Sequence, residues 1–336
     1  MIPFIRKLAR GESLTLEESR EAMRQIMEGL ATPAQIAAYL TALSVKGPTP
    51  DEIAGAALVM REKVTRIDVA DLPVVDTCGT GGTGKRTFNI STAAALVAAG
   101  AGAYVAKHGN RGATSPCGSS DVLELLGVNV EAPPAVVARC IREARMGFLF
   151  APHLHGAMKY AAPVRKEIGI RTIFNVLGPL TNPAGARRQV MGVFSADLVR
   201  TIAEVLLRLG ADHALVVHSE DGMDEISLSA RTHVSEVRGG SITSYDLSPE
   251  VLGLAAVRPE DLQADTVRRS AEAIRSVLAG EPGPRRQVVL ANAGAAVYVA
   301  GLAADIHEGL KRAAESIDSG AAAGVLESLI RLSHVA

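Results

Sequence analysis

Glycine and threonine dominate a short segment that follows an apolar, β-branched run near the first quarter of the chain. Residues 74–91 read VVDTCGTGGTGKRTFNIS, and positions 79–83 are all glycine or threonine. Glycine lets backbone N–H groups converge on an anion, and the sequence 89–92 begins an alanine-rich helical pattern whose N-terminus adds a positive dipole end. We therefore predict a strand, an anion-binding loop and a helix, rather than an ordinary glycine-rich turn.

Two standard phosphate-binding motifs do not account for this loop. A P-loop would require a hydroxyl side chain directly after Gly84-Lys85, where this chain has Arg86. The dinucleotide-binding spacing G-x-G-x-x-G is present from Gly79 to Gly84, but positions 101–104 carry no carboxylate for a ribose. The loop therefore predicts a different phosphate ligand.

The charge balance and the composition exclude several classes of partner. The chain of 336 residues has a formal net charge of −1, its aromatic fraction is 3%, and tryptophan is absent. The chain therefore has neither an excess of basic residues to bind a phosphate backbone nor many aromatic residues on which bases could stack, so we expect no nucleic-acid partner. The apolar stretch 93–106 is shorter than the roughly 20 residues that span a bilayer, and the charged N-terminus is unlike a signal peptide. We expect a cytoplasmic protein without a membrane partner.

Cysteine and histidine suggest two weaker alternatives. Cys78 and Cys117 border glycine-rich segments, so a catalytic thiol is an alternative to close packing of small residues; with Cys140 they form no pairing framework and fit a reducing compartment. His153-x-His155 resembles part of a zinc site. Residues two apart point to different faces of a helix, however, and no third ligand follows at metal spacing. Both alternatives are disfavoured.

The distribution of apolar residues predicts a helical segment followed by an α/β segment. Residues 1–70 read as helices only, with Pro after Thr at two helix starts, and helices are predicted at 16–29, 32–45 and 49–64. From 71 to 336 we predict an α/β domain, and part of 153–185, broken by glycine and proline, is expected to join the helical one. The predicted strands are 73–76, 103–106, 147–151 and 213–218, with a hairpin from 232 to 245; the predicted helices are 90–100, 119–127, 134–145 and 198–209, with three or four more in 266–335.

Polar residues follow two further predicted strands. The strand 103–106 is followed by KHGNRGATS, which is expected to be a loop that supplies basic and hydroxyl side chains. The strand ending at His218 is followed by Asp221-Gly222-Met223-Asp224-Glu225, whose adjacent carboxylates suit Mg²⁺. Because the carboxyl ends of parallel strands share one edge, these segments and the glycine-rich loop are expected to lie together and to hold a ligand with several phosphates.

These motifs occur in a characteristic order over almost the whole chain. GTGG, TFN-x-ST, KHGNR, VR-x-x-x-G-x-RT-x-FN-x-LGPL-x-NP, DG-x-DE and NAGAAVYVAG follow one another between residues 79 and 301. In this arrangement the chain resembles the anthranilate phosphoribosyltransferase family. The resemblance implies a small all-helical domain hinged to a larger α/β domain with a mostly parallel central sheet, and commonly a homodimer formed through the helical domain.

The resemblance also implies a set of site residues. No catalytic side chain is assigned, and His108 and Asn110 are positioning groups at most. Mg²⁺ would bind Ser91, Asp224 and Glu225, while anthranilate would contact Gly79, Asn110 and Arg165, with the arginine pairing with its carboxylate. Phosphoribosyl pyrophosphate would bind Gly79, Gly82, Thr83, Thr87, Asn89, Ile90, Ser91, Thr92, Lys107, His108, Gly109, Asn110, Arg111, Gly112, Ala113, Thr114, Ser115 and Ser119.

Two positions depart from the family pattern. The family usually has aspartate after GTGG, where this chain has Thr83, and it often has proline where Gly156 follows His155. The implied activity is transfer of the 5-phosphoribosyl group to anthranilate, with release of pyrophosphate, in tryptophan biosynthesis. The alternatives are a pyrimidine nucleoside phosphorylase-like enzyme, a phosphoribosyltransferase with another acceptor and, more remotely, a non-catalytic relative that binds nucleic acid.

Overall fold

The computed structural model describes residues 1–112 and 117–335. Its N-terminal part is helical, and three of its helices begin with a reciprocal capping box, formed by Thr15 with Glu18, by Thr32 with Gln35, and by Thr49 with Glu52. Each box satisfies two backbone groups that a helix N-terminus leaves unpaired. The four helices are α1 (Ile2–Ala9), α2 (Leu16–Met27), α3 (Pro33–Lys46) and α4 (Pro50–Lys63). The first of these helices was not predicted from the sequence.

In the described part of the chain, one seven-stranded sheet forms the centre of the α/β domain. The strand order is β3-β2-β1-β4-β5-β6-β7; the first five strands are parallel, and β6 and β7 form an antiparallel hairpin at one edge. The prediction of a mostly parallel sheet beside a helical domain is confirmed. The strands are β1 (Val74–Asp76), β2 (Tyr104–Gly109), β3 (Met146–Phe150), β4 (Arg188–Gly192), β5 (His213–Ser219), β6 (Thr232–Arg238) and β7 (Ser241–Leu247).

Two strand predictions need correction. Strand β4 was not predicted, although it separates β1 from β5 in the sheet. Strand β2 was expected to end at residue 106, yet it continues through Gly109, because Lys107, His108 and Gly109 pair in register with Phe148, Leu149 and Phe150 of β3. Lys107 and His108, which were expected in a loop, therefore belong to a buried strand.

The remaining helices cover both faces of the sheet and join its strands. A run of short helices occupies the irregular middle segment, which also contains 3₁₀ turns at Gly156–Tyr160 and Pro179–Thr181. A further 3₁₀ turn, Pro259–Leu262, precedes the C-terminal helices. The helices are α5 (Ile90–Gly100), α6 (Ser119–Leu126), α7 (Pro134–Ala144), α8 (Ala151–Leu154), α9 (Ala162–Ile168), α10 (Phe174–Leu177), α11 (Asp197–Arg208), α12 (Pro249–Leu252), α13 (Val267–Leu278), α14 (Pro284–Val299), α15 (Ile306–Asp318) and α16 (Ala321–Ser333). Among the described residues, no helix is long and apolar enough to cross a membrane.

Each face of the sheet has its own hydrophobic core. On one face, α5 and the C-terminal helices pack around Leu96, Val97 and Leu215. On the other face, Val216 and residues of α11 share one apolar cluster with α2, α3 and α4 and with Val164 of α9. The middle segment thus packs against the N-terminal helices. This packing supports our proposal that part of 153–185 belongs to the helical domain, with residues 71–336 otherwise forming the α/β domain.

Candidate active site

The glycine-rich loop joins the end of β1 to the start of α5. Gly81, Gly82 and Gly84 have φ angles of +61°, +77° and +71°, in the left-handed region that favours glycine. Gly79 is required for a different reason, since an added Cβ there would lie 2.8 Å from Oδ2 of Asp224. The loop conformation therefore depends on several glycines, as the sequence pattern predicted.

Neighbouring strands hold the first half of this loop. The backbone N–H of Thr80 donates to the carbonyl oxygen of Gly192, at the end of β4, over 2.8 Å. The next amide, that of Gly81, donates to Oδ2 of Asp224 over 2.8 Å. The loop therefore lies over the carboxyl ends of β4 and β5, and β4, which the sequence analysis missed, supplies one of its anchors.

The acidic pair follows β5 and faces the loop and helix α5. Oε1 of Glu225 accepts a hydrogen bond from the backbone N–H of Ser91 over 3.2 Å. Burial raises the pKa of Glu225 to about 8, and the neighbouring carboxylate of Asp224 adds to this rise. Burial also raises the pKa of Asp224. The predicted convergence of Ser91, Asp224 and Glu225 at one sheet edge is present in the structure.

Lys107 is a buried cation beside this acidic pair. Its side chain is 1% exposed, and its Nζ donates to Oγ1 of Thr77 over 3.2 Å and to Oγ of Ser91 over 3.5 Å. Burial lowers the pKa of Lys107, while the charges of Asp76, Glu225 and Asp224 oppose that change. Lys107 therefore brings its charge to the site from inside the sheet rather than from a loop.

Asp76 is a buried carboxylate that the sequence analysis did not select. Its Oδ1 accepts from the backbone N–H groups of Cys78 and His108, and its Oδ2 accepts from Nδ2 of Asn182 over 2.7 Å. Burial raises the pKa of Asp76 to about 6, against the lowering effect of Lys107 and these hydrogen bonds. The carboxyl group thus links the end of β1 to β2, next to the start of the glycine-rich loop.

A pair of buried histidines forms one wall of the site. Nδ1 of His108 lies 3.1 Å from the carbonyl oxygen of Gly178, and Nε2 lies 3.1 Å from Nε2 of His155. A carbonyl oxygen only accepts, so His108 carries its proton on Nδ1 and accepts at Nε2 from His155. Burial lowers the pKa of His108 to about 3 and that of His155 to about 4, so both rings are neutral. This arrangement fits a positioning role for His108.

The thiol and zinc alternatives gain no support. Burial raises the pKa of the Cys78 thiol, and it raises that of Cys117 to about 11, so both thiols stay protonated near neutral pH. His153 and His155 do not face a common centre, because the His153 ring packs against Phe150 while His155 bonds to His108. Asp76, Cys78 and His108 do lie close together, but Asp76 and His108 make the hydrogen bonds described above, and the Cys78 thiol lies 3.5 Å from the carbonyl oxygen of Gly79.

The second segment, after β2, is partly described. The guanidinium of Arg111 pairs with Asp121 at 3.2 Å and with Glu124 at 2.8 Å, both on α6. Oγ of Ser119 lies 3.4 Å from the carbonyl oxygen of Asn110. The predicted phosphate ligands Ala113, Thr114 and Ser115 lie outside the described residues.

Arg165 occupies the opposite side of the site, on α9. Its guanidinium carbon lies 5.1 Å from the centre of the Phe174 ring, and burial lowers the pKa of the side chain. Among the described residues no carboxylate pairs with Arg165, in contrast to Arg111. A partly buried guanidinium without an acidic partner is suited to bind the carboxylate of a ligand.

Groups from the glycine-rich loop, the acidic pair, the histidine pair and the Arg165 helix line one cavity of about 750 Å³, between the α/β domain and the short helices of the middle segment. Ile90 and Thr92 do not line it. Both are fully buried, and their backbone N–H groups donate to Phe88 and Asn89, so the structure does not support direct ligand contact from these two. The predicted residues that line the cavity are Gly79, Gly82, Thr83, Thr87, Asn89, Ser91, Lys107, His108, Gly109, Asn110, Arg111, Gly112, Ser119, Arg165, Asp224 and Glu225.

Two side chains that the sequence analysis missed hold the site residues in place. Asn292 on α14 accepts from the backbone N–H of Ile226 over 3.0 Å and donates to its carbonyl oxygen over 2.9 Å, which fixes the chain directly after Glu225. Ser270 on α13 bonds to the side chain and to the backbone N–H of Asn89. Of these two residues, only Asn292 could have been noticed in the sequence, because it is a polar residue within an apolar helical segment.

Fold and site together define a glycosyl transferase with a helical bundle domain and an α/β domain. The family model described as "Glycosyl transferase family, helical bundle domain" matches residues 2–64, and that described as "Glycosyl transferase family, a/b domain" matches residues 71–323. Within this class, the sequence and the structure of the chain are similar to those of one particular enzyme.

Curated relatives and solved structures agree on that enzyme. The chain is 54% identical over 334 residues to anthranilate phosphoribosyltransferase of Symbiobacterium thermophilum, covering 99% of this chain and 98% of the relative. It is 52% identical over 333 residues to that of Methylobacillus flagellatus, with the same coverage. The Thermus thermophilus enzyme has a TM-score of 0.94 at 46% identity, covering 99% of each chain. The chain belongs to the anthranilate phosphoribosyltransferase family.

A more distant solved structure contains ligands. The anthranilate phosphoribosyltransferase of Saccharomyces cerevisiae in complex with PRPP and Mg has a TM-score of 0.89 at 28% identity, covering 99% of this chain and 97% of that one.

Proposed function

We propose that this protein transfers the 5-phosphoribosyl group from phosphoribosyl pyrophosphate to the amine of anthranilate and releases pyrophosphate, a step of tryptophan biosynthesis. The observation that carries the proposal is the single cavity that joins the glycine-rich loop, the acidic pair and the unpaired Arg165. An anion site and a carboxylate site in one cavity suit a diphosphate donor and an acidic aromatic acceptor.

The donor binds on the α/β side. The backbone N–H groups in the second half of the glycine-rich loop contact the phosphates, while the positive dipole end of α5 and the buried amino group of Lys107 favour an anion nearby. Breaking the bond between C1 of the ribose and the leaving oxygen places negative charge on pyrophosphate. The loop is already held by Gly192 and Asp224, so its dipoles need little reorganisation at that moment.

The donor set at the acidic pair fits Mg²⁺. Asp224, Glu225 and the hydroxyl of Ser91 offer hard oxygen ligands, and the raised pKa values of the two carboxyl groups reflect burial of neighbouring acids that a divalent cation would offset. When bound, Mg²⁺ would neutralise charge on the pyrophosphate. The complex of the yeast relative with PRPP and Mg supports the use of Mg²⁺.

The acceptor binds on the opposite side. Arg165 pairs with the anthranilate carboxylate, while the Phe174 ring holds the guanidinium in place and Asn110 and Gly79 border the amine. The aromatic amine is neutral at pH 7 and attacks C1 without prior deprotonation, so orientation matters more than a strong base. His108, neutral and bonded at both nitrogens, shapes the wall that orients the ring.

We further propose that the protein is a cytoplasmic homodimer formed through the helical domain. Ile2 on α1 and Val45 on α3 support the dimer, since they are 52% and 83% exposed although both are large and apolar. The expectation that neither nucleic acid nor a membrane is a partner stays a prediction. Light scattering after size exclusion measures the oligomeric state directly.

One assay tests the central proposal. The purified protein is mixed with Mg²⁺, phosphoribosyl pyrophosphate and anthranilate, and the loss of anthranilate fluorescence is followed. We expect loss that requires all three components. Phosphorolysis of uridine or thymidine in place of this reaction would favour the nucleoside phosphorylase alternative, and turnover with another acceptor alone would favour a different phosphoribosyltransferase.

A further inference from the structure

Arg171 connects the middle segment to the glycine-rich loop. Its Nη2 donates to the carbonyl oxygen of Gly82 over 2.6 Å, and its guanidinium carbon lies 4.5 Å from the centre of the Phe194 ring. Phe194 follows Gly192, the residue whose carbonyl oxygen holds Thr80. The ring therefore braces Arg171 against the same strand end that anchors the first half of the loop.

The part of the loop that Arg171 reaches has few other contacts. Among the described residues, positions 82–85 make only two hydrogen bonds: the one from Arg171 and an internal one from the Lys85 amide to Oγ1 of Thr83. A Cβ added at Gly82 or Gly84 would meet nothing within 4 Å. The position of this half of the loop thus depends strongly on Arg171.

The backbone of Arg171 is tied to the acceptor side of the cavity. Its carbonyl oxygen accepts from Oγ of Ser44 on α3 over 2.9 Å. The next residue, Thr172, exchanges hydrogen bonds with Asn175, which lines the cavity. Phe174, the ring beneath the Arg165 guanidinium, lies between them. Segment 171–175 therefore touches the glycine-rich loop at one end and the Arg165 pocket at the other.

We propose that Arg171 is a positioning residue that couples the two halves of the cavity, so that a ligand in one half strengthens binding in the other. An anion on the glycine-rich loop fixes Gly82 and with it Arg171, and the ordered segment then presents Phe174 and Arg165 to a carboxylate without a further entropy cost. This inference rests on the proposed function, since it takes pyrophosphate and anthranilate as the two ligands.

The test is anthranilate binding with and without pyrophosphate. Anthranilate fluorescence is titrated with protein in Mg²⁺ alone and in Mg²⁺ with saturating inorganic pyrophosphate, which occupies the loop but cannot react. In the wild type we expect pyrophosphate to tighten anthranilate binding about 5-fold, at the low end of typical coupling between sites. In Arg171→Ala we expect the ratio to fall to about 1, while the affinity in Mg²⁺ alone changes little.

Arg187→Ala is the matched control, because Arg187 is also an exposed arginine whose guanidinium donates to a backbone carbonyl, that of Gly210, away from the cavity. It should keep the wild-type ratio. Should Arg171→Ala fail to fold, as judged by circular dichroism, Arg171→Gln keeps part of the stem and serves in the same comparison. A wild-type ratio of 1, or an unchanged ratio in the Arg171 variant, overturns the coupling role.

A turnover assay separates this result from the proposed function. If the wild-type protein does not consume anthranilate with phosphoribosyl pyrophosphate, the proposed function is wrong. If it does, and Arg171→Ala weakens anthranilate equally with and without pyrophosphate, then Arg171 shapes the pocket but couples nothing, and only the present inference fails.

Discussion

The backbone N–H of Gly81 donates a hydrogen bond to Oδ2 of Asp224 over 2.8 Å, although 143 residues separate the two in sequence. Gly81 belongs to the loop after β1, and Asp224 follows β5. These strands are not neighbours, because β4 lies between them. The bond shows that the anion loop and the acidic pair act as one unit, so changes in the pair are expected to alter both metal use and loop position.

Replacing Asp224 and Glu225 with Asn and Gln removes two charges and keeps the shape. We expect activity to collapse at low Mg²⁺ and to recover in part at high Mg²⁺, since the remaining oxygens still bind the cation weakly. Initial rates over a Mg²⁺ series give the result. An unchanged Mg²⁺ dependence would show that Asp224 and Glu225 have only a structural role.

Arg165→Ala removes the proposed partner of the acceptor carboxylate. A hydrogen bond to a charged group contributes roughly 1.5–3 kcal/mol, so the KM for anthranilate should rise about 10- to 100-fold. The KM for phosphoribosyl pyrophosphate should barely move, because Arg165 lies on the other side of the cavity. Equal weakening of both substrates, or of neither, would show that the arginine is wrongly assigned.

Thr83→Asp restores the residue that the family usually has after GTGG. Oγ1 of Thr83 accepts from the Lys85 amide over 3.2 Å, so the hydroxyl already has a place in the loop. We expect an active wild-type protein, and in the variant a shifted Mg²⁺ optimum and a changed KM for the donor, because an added carboxylate repels phosphate or recruits a second cation. The choice of acceptor should stay the same. An inactive wild type that the substitution rescues would identify a disabled relative.

Gly192→Ala tests how closely β4 approaches the acidic pair. An added methyl group would overlap the carbonyl oxygen of Asp224. We expect a loss of stability of about 1–3 kcal/mol and a weaker response to Mg²⁺, because the turn that carries Asp224 must move. Denaturant melts and Mg²⁺ titrations measure both effects. Gly324→Ala in α16, with nothing within 4 Å of the added group, is the control and should be neutral or stabilising.

The histidine pair predicts an acid-dependent loss of stability. The native pKa values of about 3 for His108 and about 4 for His155 lie below the ordinary value of 6.5, so the unfolded chain binds more protons as the pH falls from 6.5. The contribution of the histidine pair to stability therefore decreases with falling pH, by about 2 kcal/mol per histidine at pH 5.

His155→Gln keeps an N–H donor for His108 and removes one titrating ring. Between pH 7 and pH 5 the variant should lose about 2 kcal/mol less stability than the wild type. Urea denaturation at the two pH values gives the difference. Asp76 and Glu225, whose raised pKa values act in the opposite sense, are present in both proteins, so their effects cancel in the comparison. Parallel losses in the two proteins would contradict the assignment of a buried, neutral pair.

Sequence alone determined the local features of this protein. Threonine followed by proline marked two helix starts, the glycine-rich run marked an anion loop, and the order of the motifs pointed to the family and to most of the predicted residues that line the cavity. These features are readable because capping, left-handed backbone angles and strand-end loops each depend on residues close together in the chain.

Only the tertiary structure decided which groups face one another. It inserted β4 between β1 and β5, buried Lys107 and His108 within a strand that had been read as a loop, and brought Asp76, His155, Asn292 and Arg171 to the site. Each of these depends on pairing across the sheet or between distant segments. A polar side chain in a buried strand looks like a loop residue in sequence, because the partners that offset its burial lie elsewhere in the chain.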